Sequence, residues 1–223
     1  MRGVFVTGTD TGVGKSVVAA AVCAALAARG ERVAAFKPAV SGLDVEPGEF
    51  GHDHELLASV ASAGQSPEDV APWRFVPPVS PHHAAELAGE LIEPAQLVER
   101  ARVHELLVCE GVGGLLVPIT PGYLVRDLAV DLELPMVVAA RTGLGTINHT
   151  LLTIEAARAA GLGVAGVVMT PWPETPEPIE LSNRATVERL GGAPVSGLPP
   201  TDPGSLASAG SHLPLDEWLP WSG

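Results

Sequence analysis

The chain has 223 residues, a formal charge of −13 and a hydrophobic fraction of 46%. That length suits one α/β domain with a full core better than two small ones. The acidic balance argues against a nucleic-acid or anionic-membrane surface, which needs clustered basic residues, and no stretch is long and apolar enough to span a bilayer.

Taken in chain order, strand-like runs alternate with helical ones. Val4–Thr7 reads as a strand and Gly14–Arg29 as a buried helix closed by Gly30. Arg32–Lys37 is the next strand. A loop over Pro38–His52 leads to a helix at Asp53–Ser62, and Pro67–Pro81 reads as an irregular, proline-rich loop. Ser80-Pro81 has the form of an N-cap with proline at the first helical position, and helices follow at His82–Glu90 and Pro94–Glu105. Leu106–Cys109 is a buried strand, and Leu115–Ile119 is a further candidate strand. Tyr123–Leu132 reads as helix, Met136–Ala140 as strand, Thr146–Ala160 as helix and Val164–Met169 as strand. A helix at Leu181–Leu190 and a short strand at Pro194–Ser196 complete the core, before a Pro-, Gly- and Ser-rich tail over Leu198–Gly223.

Apolar strands separated by helices predict a mostly parallel sheet covered on both faces, in one domain over residues 1–223. Ligands of such sheets collect at the carboxyl ends of the strands. The chain enters its first strand at once, so no secretory leader is expected. Cys23 and Cys109 fall in core elements, which favours free thiols and a reducing cytoplasm. Neither has a Cys or His neighbour at zinc-ligand spacing.

Gly8-Thr9-Asp10-Thr11-Gly12-Val13-Gly14-Lys15-Ser16 follows a strand and opens a helix, the context a phosphate loop requires. Backbone N–H groups curl around phosphate oxygens there, and the helix N-terminus adds positive potential. Lys15 is placed to neutralise the β- and γ-phosphates, and the Ser16 hydroxyl to ligate magnesium. Gly8 and Gly14 enclose five residues where the usual pattern has four.

Magnesium takes one or two carboxylates besides its waters. Glu110 follows the strand Leu106–Cys109 and precedes Gly111-Val112-Gly113-Gly114, so it is a candidate, against the reading of an ordinary strand-terminal acid. Asp53 is a second candidate, although its place at a helix start also fits an N-cap or a helix-dipole role. Of thirteen basic residues only Lys15 and Lys37 are lysines. Lys37 closes the second strand, where an ammonium can stabilise a transferring phosphoryl group; Ser41, just beyond, can hydrogen-bond a polar substrate. Arg141-Thr142-Gly143-Leu144-Gly145-Thr146-Ile147-Asn148-His149 forms a second glycine-rich helix start. It suits a carboxylate as well as a phosphate, or simple capping.

Together these residues resemble ATP-dependent dethiobiotin synthetases. The likeness runs from the first strand to about Pro200. It is carried by Gly8–Ser16 with its Thr-Asp-Thr core, Lys37-Pro38 with Ser41, Asp53, Ser80-Pro81-His82, Glu110–Gly114 and Gly145-Thr146-Ile147-Asn148-His149. The resemblance implies a P-loop ligase that joins 7,8-diaminononanoate and CO2 and cleaves ATP to ADP and phosphate. It implies nucleotide contacts from Gly12, Val13, Gly14, Lys15, Ser16, Val17, Asp53, Glu110, Gly111, Val112 and Gly113, with magnesium on Ser16, Asp53 and Glu110. Lys15 and Lys37 would flank the transferring group. Thr11 and Ser41 would face the carbamate end of the substrate, and Gly145, Thr146 and Asn148 its distal carboxylate. In the family the last three come from the partner subunit, so a homodimer is implied.

One stretch departs from the family pattern. Many members carry an asparagine that reads adenine after the strand equivalent to Val164–Met169; here the sequence is Thr170-Pro171-Trp172. Base selectivity therefore stays open, with CTP or another triphosphate as alternatives to ATP. Thr170, Pro171, Leu198, Pro199 and Pro200 are the candidate base pocket. Two rivals share parts of this pattern. A partition- or septum-type ATPase switch usually carries a lysine early in its loop, where this chain has Gly8-Thr9-Asp10-Thr11. An amidotransferase synthetase acting on a corrin precursor needs a glutaminase domain that 223 residues leave little room for.

Overall fold

Successive side chains of the central strands point to opposite faces of one sheet, as a period of two requires. In β1 (Arg2–Gly8), Val4 and Val6 enter one apolar layer and Phe5 the other. In β5 (Leu106–Gly114), Leu106 and Val108 oppose Leu107 and Cys109 in the same way. Both layers are buried, which is why these strands read as unbroken apolar runs. The protein is described here from a computed structural model over residues 1–219; Pro220–Gly223, the end of the expected tail, lie outside the described residues.

From β1 the chain enters α1 (Lys15–Ala28), β2 (Ala34–Phe36), β3 (Ala39–Val40), α2 (Asp53–Val60), α3 (Pro67–Val70) and β4 (Trp73–Arg74). Next come α4 (Pro81–Ala88), α5 (Pro94–Arg102), β5, β6 (Pro118–Thr120), β7 (Tyr123–Leu124), α6 (Val125–Leu132) and β8 (Met136–Ala140). The chain continues through α7 (Thr146–Ala159), β9 (Val164–Met169), α8 (Pro178–Gly191), β10 (Val195–Gly197), α9 (Leu206–Gly210) and α10 (Leu215–Trp218). Six strands form a parallel sheet in the order β10-β9-β8-β1-β5-β2. The chain leaves β1 toward β2 and β5 on one side, then crosses to β8, β9 and β10 on the other. The crevice at such a switch point is where ligands bind, so the carboxyl end of β1 is the place to look.

One apolar layer joins α1 and α2 to Leu206, Leu213 and Trp218 of the C-terminal segment. The other gathers Leu97 of α5, Leu128 of α6, Ile154 of α7 and Val187 of α8. Cys23 and Cys109 are free, buried and in opposite layers, and burial raises both thiols above their ordinary pKa. No described helix is long and apolar enough to cross a membrane.

The structure corrects several sequence expectations. Glu110 does not follow its strand but lies inside it: β5 runs on through the glycines because their backbone still pairs with β1, as far as Gly8 opposite Gly114. Leu115–Ile119 adds no strand to the main sheet; Pro118–Thr120 pairs antiparallel with Tyr123–Leu124, which delays the helix expected from Tyr123 until Val125. The loop expected over Pro67–Pro81 contains α3 and β4. Ser66 and Asp69 cap α3 reciprocally, with Ser66 N–H donating to Asp69 Oδ2 at 2.9 Å, and β4 pairs with β3. The helix expected from Leu181 begins at Pro178, because Glu177 N–H donates to Glu180 Oε2 at 2.8 Å and proline suits the first turn. The tail carries α9 and α10, since Leu206 and Trp218 find apolar cover.

Candidate active site

The phosphate loop joins β1 to α1. Gly12 and Gly14 hold φ of 69° and 90°, a left-handed conformation that glycine adopts at little cost. A Cβ on Gly14 would lie 2.5 Å from Thr170 Cγ2, so glycine is required there for space as well. Lys15 folds back over the loop and donates to the Asp10 carbonyl at 2.8 Å. Burial, its largest influence, lowers the Lys15 pKa.

Behind the loop lies a compact charge cluster drawn from three elements. Lys37, two residues before β3, is 3% exposed. Its Nζ lies 2.7 Å from Asp53 Oδ2 at the start of α2 and 2.6 Å from Glu110 Oε1 in β5. Ser16 Oγ, in the first turn of α1, donates to the same Glu110 oxygen at 2.8 Å. Asp53 is not the N-cap of α2, a place His52 takes; it is the first residue of the helix, where a helix-dipole acid stands, and it also joins the cluster. Burial works to lower the Lys37 pKa, but the Asp53 and Glu110 carboxylates outweigh it and hold the ammonium above its ordinary value. Burial tends to raise Asp53, yet Lys37 and the Ser16 hydroxyl bring it down to about 2. Glu110 is fully buried, and desolvation pushes its carboxyl upward against the pull of Lys37. Its Oε2 has no hydrogen-bond partner among the described residues.

These oxygens fit magnesium. Ser16, Asp53 and Glu110 offer the all-oxygen donor set that Mg2+ prefers, and the partnerless Glu110 Oε2 is an acceptor still to be satisfied. Two carboxylates and a hydroxyl fall short of a full protein cage, as expected of an ion that keeps waters and takes phosphate oxygens.

A cavity of about 900 Å3 opens over the cluster. Its lining includes Thr11, Gly12, Gly14, Lys15, Ser16, Val17, Lys37, Ser41, Asp53, Glu110, Val112 and Gly113, so most of the sequence-derived residues converge on one space. Gly111 does not reach it; that residue is buried, with Phe5 and Val125 against it. Ser41 Oγ donates to the Val79 carbonyl at 2.6 Å, which fixes its rotamer at the wall. A second cavity of about 420 Å3 lies on the β9 side of the loop, lined by Gly12, Val13, Gly14, Val17, Thr170, Pro171, Pro199 and Pro200. Leu198 does not line it. Its side chain is fully buried, and its backbone ties β9 to the next turn by accepting from Trp172 N–H at 2.7 Å.

The three residues of the α7 start, Gly145, Thr146 and Asn148, line neither cavity in this chain. Thr146 is buried beside Thr150, while Gly145 and Asn148 are exposed. Leu144 beside them is 95% exposed. Asn183 of α8 is also outside both cavities; its amide donates to the carbonyls of Thr142 and Gly143 at 2.9 and 3.1 Å, holding the β8–α7 turn.

Among the lining residues, Arg141, named in the sequence only as part of the second glycine-rich helix start, and Phe50 carry no role expected at these cavities. Arg141 directly follows β8, the strand beside β1, and its guanidinium reaches the Thr11 carbonyl at 3.4 Å while lining the second cavity. Its position after a strand adjacent to the loop was the available signal. Phe50, from the loop before α2, lines both cavities; a lone aromatic among glycines and acids was the only hint.

Sheet order, loop and buried lysine cluster together define a P-loop nucleotide-binding α/β protein. Solved structures agree on the fold: a ParA family ATPase from Chlorobium tepidum superposes with TM-score 0.53 at 13% identity, covering 99% of this chain and 94% of that one. Apo McdA from Cyanthece gives 0.54 at 10% identity over 94% and 90%. A family model described as an AAA domain matches residues 2–205. The ATP-dependent dethiobiotin synthetase BioD of Bacillus subtilis strain 168 is 37% identical over 204 residues, covering 90% of this chain and 87% of that protein. The enzyme of the same name from Anaeromyxobacter dehalogenans strain 2CP-1 is 45% identical over 194 residues, 85% and 86% of the two chains. The chain belongs to the ATP-dependent dethiobiotin synthetase family.

Proposed function

We propose that this protein closes the ureido ring of dethiobiotin from 7,8-diaminononanoate and CO2 at the expense of a nucleoside triphosphate. The observation that carries the reading is the convergence of Lys15, Lys37, Ser16, Asp53 and Glu110 on one cavity beside the phosphate loop. One substrate amine adds to CO2 and loses a proton, giving a carbamate. A carbamate oxygen attacks the γ-phosphorus and the nucleoside diphosphate leaves, forming a carbamic–phosphoric anhydride. The second amine attacks the carbonyl carbon, and phosphate departs as the ring closes.

The chain's residues divide this work. Backbone N–H groups of residues 12–16 and the Lys15 ammonium bind the phosphates. Lys37 stabilises charge on the transferring phosphoryl group, where a positioned cation is worth most in a water-poor site. Thr11 and Ser41 orient the carbamate. Ser16, Asp53 and Glu110 would hold magnesium, which when bound would neutralise charge on the phosphates. Gly145, Thr146 and Asn148 receive the distal carboxylate of a substrate bound mainly by a second copy of the chain, in a homodimer; their place outside both cavities and the exposed Leu144 support that reading.

The base sits in the second cavity, against Thr170, Pro171, Pro199 and Pro200. No asparagine follows β9 there, so discrimination between ATP, CTP and GTP is weak. A competition assay with a strong preference for ATP would contradict that part alone. The main reading is tested by incubating the protein with diaminononanoate, bicarbonate, magnesium and ATP and weighing the product. Dethiobiotin is expected; nucleotide binding without product would refute the synthetase. The partition-type switch gains nothing from the fold likeness at 10–13% identity, because those structures share architecture only.

A further inference from the structure

Lys37 stands where a second cation is called for. Its ammonium contacts Asp53 Oδ2 and Glu110 Oε1 at 2.7 and 2.6 Å, and Ser16 Oγ is bound to that same Glu110 oxygen. All three residues that suit magnesium are therefore engaged with one ammonium or with each other. Magnesium binds oxygens at about 2.0–2.1 Å, so an ion on these oxygens would lie hard against the lysine nitrogen. Like charges that close, in a buried site, repel strongly.

We propose that Lys37 and the divalent ion are alternative occupants of one cation position, so that metal loads only together with the nucleotide phosphates that draw Lys37 away. The proposal rests on the nucleotide reading of the site and adds an order to it. With both carboxylates ionised, Lys15 and Lys37 balance Asp53 and Glu110, and the cluster is neutral. A divalent ion arriving alone leaves an uncompensated double positive charge in a buried place. Arriving with phosphates, it does not. Lys37 also lines the large cavity, and a four-carbon stem with a compact head can swing where a planar guanidinium could not. The same exchange that completes the metal site then turns the ammonium toward the transferring phosphoryl group. Glu110 Oε2, buried without a partner, is the acceptor that the exchange satisfies.

The test uses Mn2+ as the probe, titrated into the full-length protein without nucleotide and read by electron paramagnetic resonance. Wild type should bind it weakly, and ADP should tighten it. Lys37→Met should bind Mn2+ at least about tenfold more tightly without nucleotide, because a net negative pair of carboxylates remains. Equal affinity in the two proteins overturns the proposal. Since Lys37→Met leaves the buried Glu110 carboxylate without its ion partner and can fail to fold, wild type supplies a second readout. The chain has only two lysines, so selective 13Cε-lysine labelling gives two side-chain signals, assigned with Lys15→Ala. Magnesium alone should leave the Lys37 signal in place, and Mg-ADP should move it. A Lys37 signal that moves with magnesium alone, or that stays in place with Mg-ADP, overturns the proposal. Neither readout contains diaminononanoate or CO2, so failure to make dethiobiotin leaves both outcomes interpretable.

Discussion

At the scale of single residues, glycine and lysine carry the site for opposite reasons. Gly14 is needed for what it lacks. At φ 90°, with Thr170 Cγ2 2.5 Å from any added Cβ, Gly14→Ala meets backbone strain of about 1–3 kcal/mol plus a clash. Because the strain falls on the phosphate loop, the expected loss is in nucleotide affinity, roughly tenfold or more by that energy, with little change in the melting temperature of the rest of the fold. Isothermal titration with ADP checks it; unchanged affinity would mean that the loop relaxes freely. Lys37 is needed for what it supplies. Lys37→Ala should lower kcat by about a hundredfold or more, as expected for an electrostatic group acting in the transition state, while nucleotide Kd stays within a few-fold. Equal losses in both would assign Lys37 to ground-state binding. The sequence made Lys15, Lys37 and Ser16 legible because their residue types are scarce or patterned. It hid the contact of Lys37 with Asp53 and Glu110, since that depends on three elements far apart in the chain meeting at one strand end.

At the scale of elements, what was readable was periodic and what was missed was paired or capped. The central strands and α1 announce themselves through unbroken apolar runs. The continuation of β5 through Gly111–Gly114 does not, because glycine signals turns while its backbone can still join a ladder. Two-residue strands such as β3 and β4 have no period to read. Asn183 shows the same limit at a helix: nothing in its sequence neighbourhood marks it, but it braces the turn that opens α7 through two backbone carbonyls. Asn183→Ala removes both bonds and should lower stability by about 1–2 kcal/mol. On the proposed function it should also raise KM for diaminononanoate, because Gly145 and Thr146 lie next along the chain, and leave nucleotide Kd unchanged. A shifted nucleotide Kd with normal KM would assign α8 to the wrong ligand.

At the scale of the whole molecule, the proposed site is divided. Lys37 lines the large cavity of its own chain, whereas Asn148 sits on an exposed helix start outside it, beside the 95% exposed Leu144. Leu152 is also exposed, further along α7. If each active site takes Lys37 from one protomer and Asn148 from its partner, two crippled variants should repair one another. Lys37→Ala and Asn148→Ala, each severely impaired alone, combine in a mixed dimer to give one site that lacks both groups and one that has both. After equal mixing and subunit exchange, half of the dimers are mixed and half of their sites are intact, so roughly a quarter of wild-type activity should return. A single-chain site predicts no recovery, because each protomer carries its own defect. Sedimentation of the mixture must accompany the assay: recovered activity requires dimers, and mixed dimers without recovered activity would sink the shared site while leaving the phosphate loop and its lysines untouched.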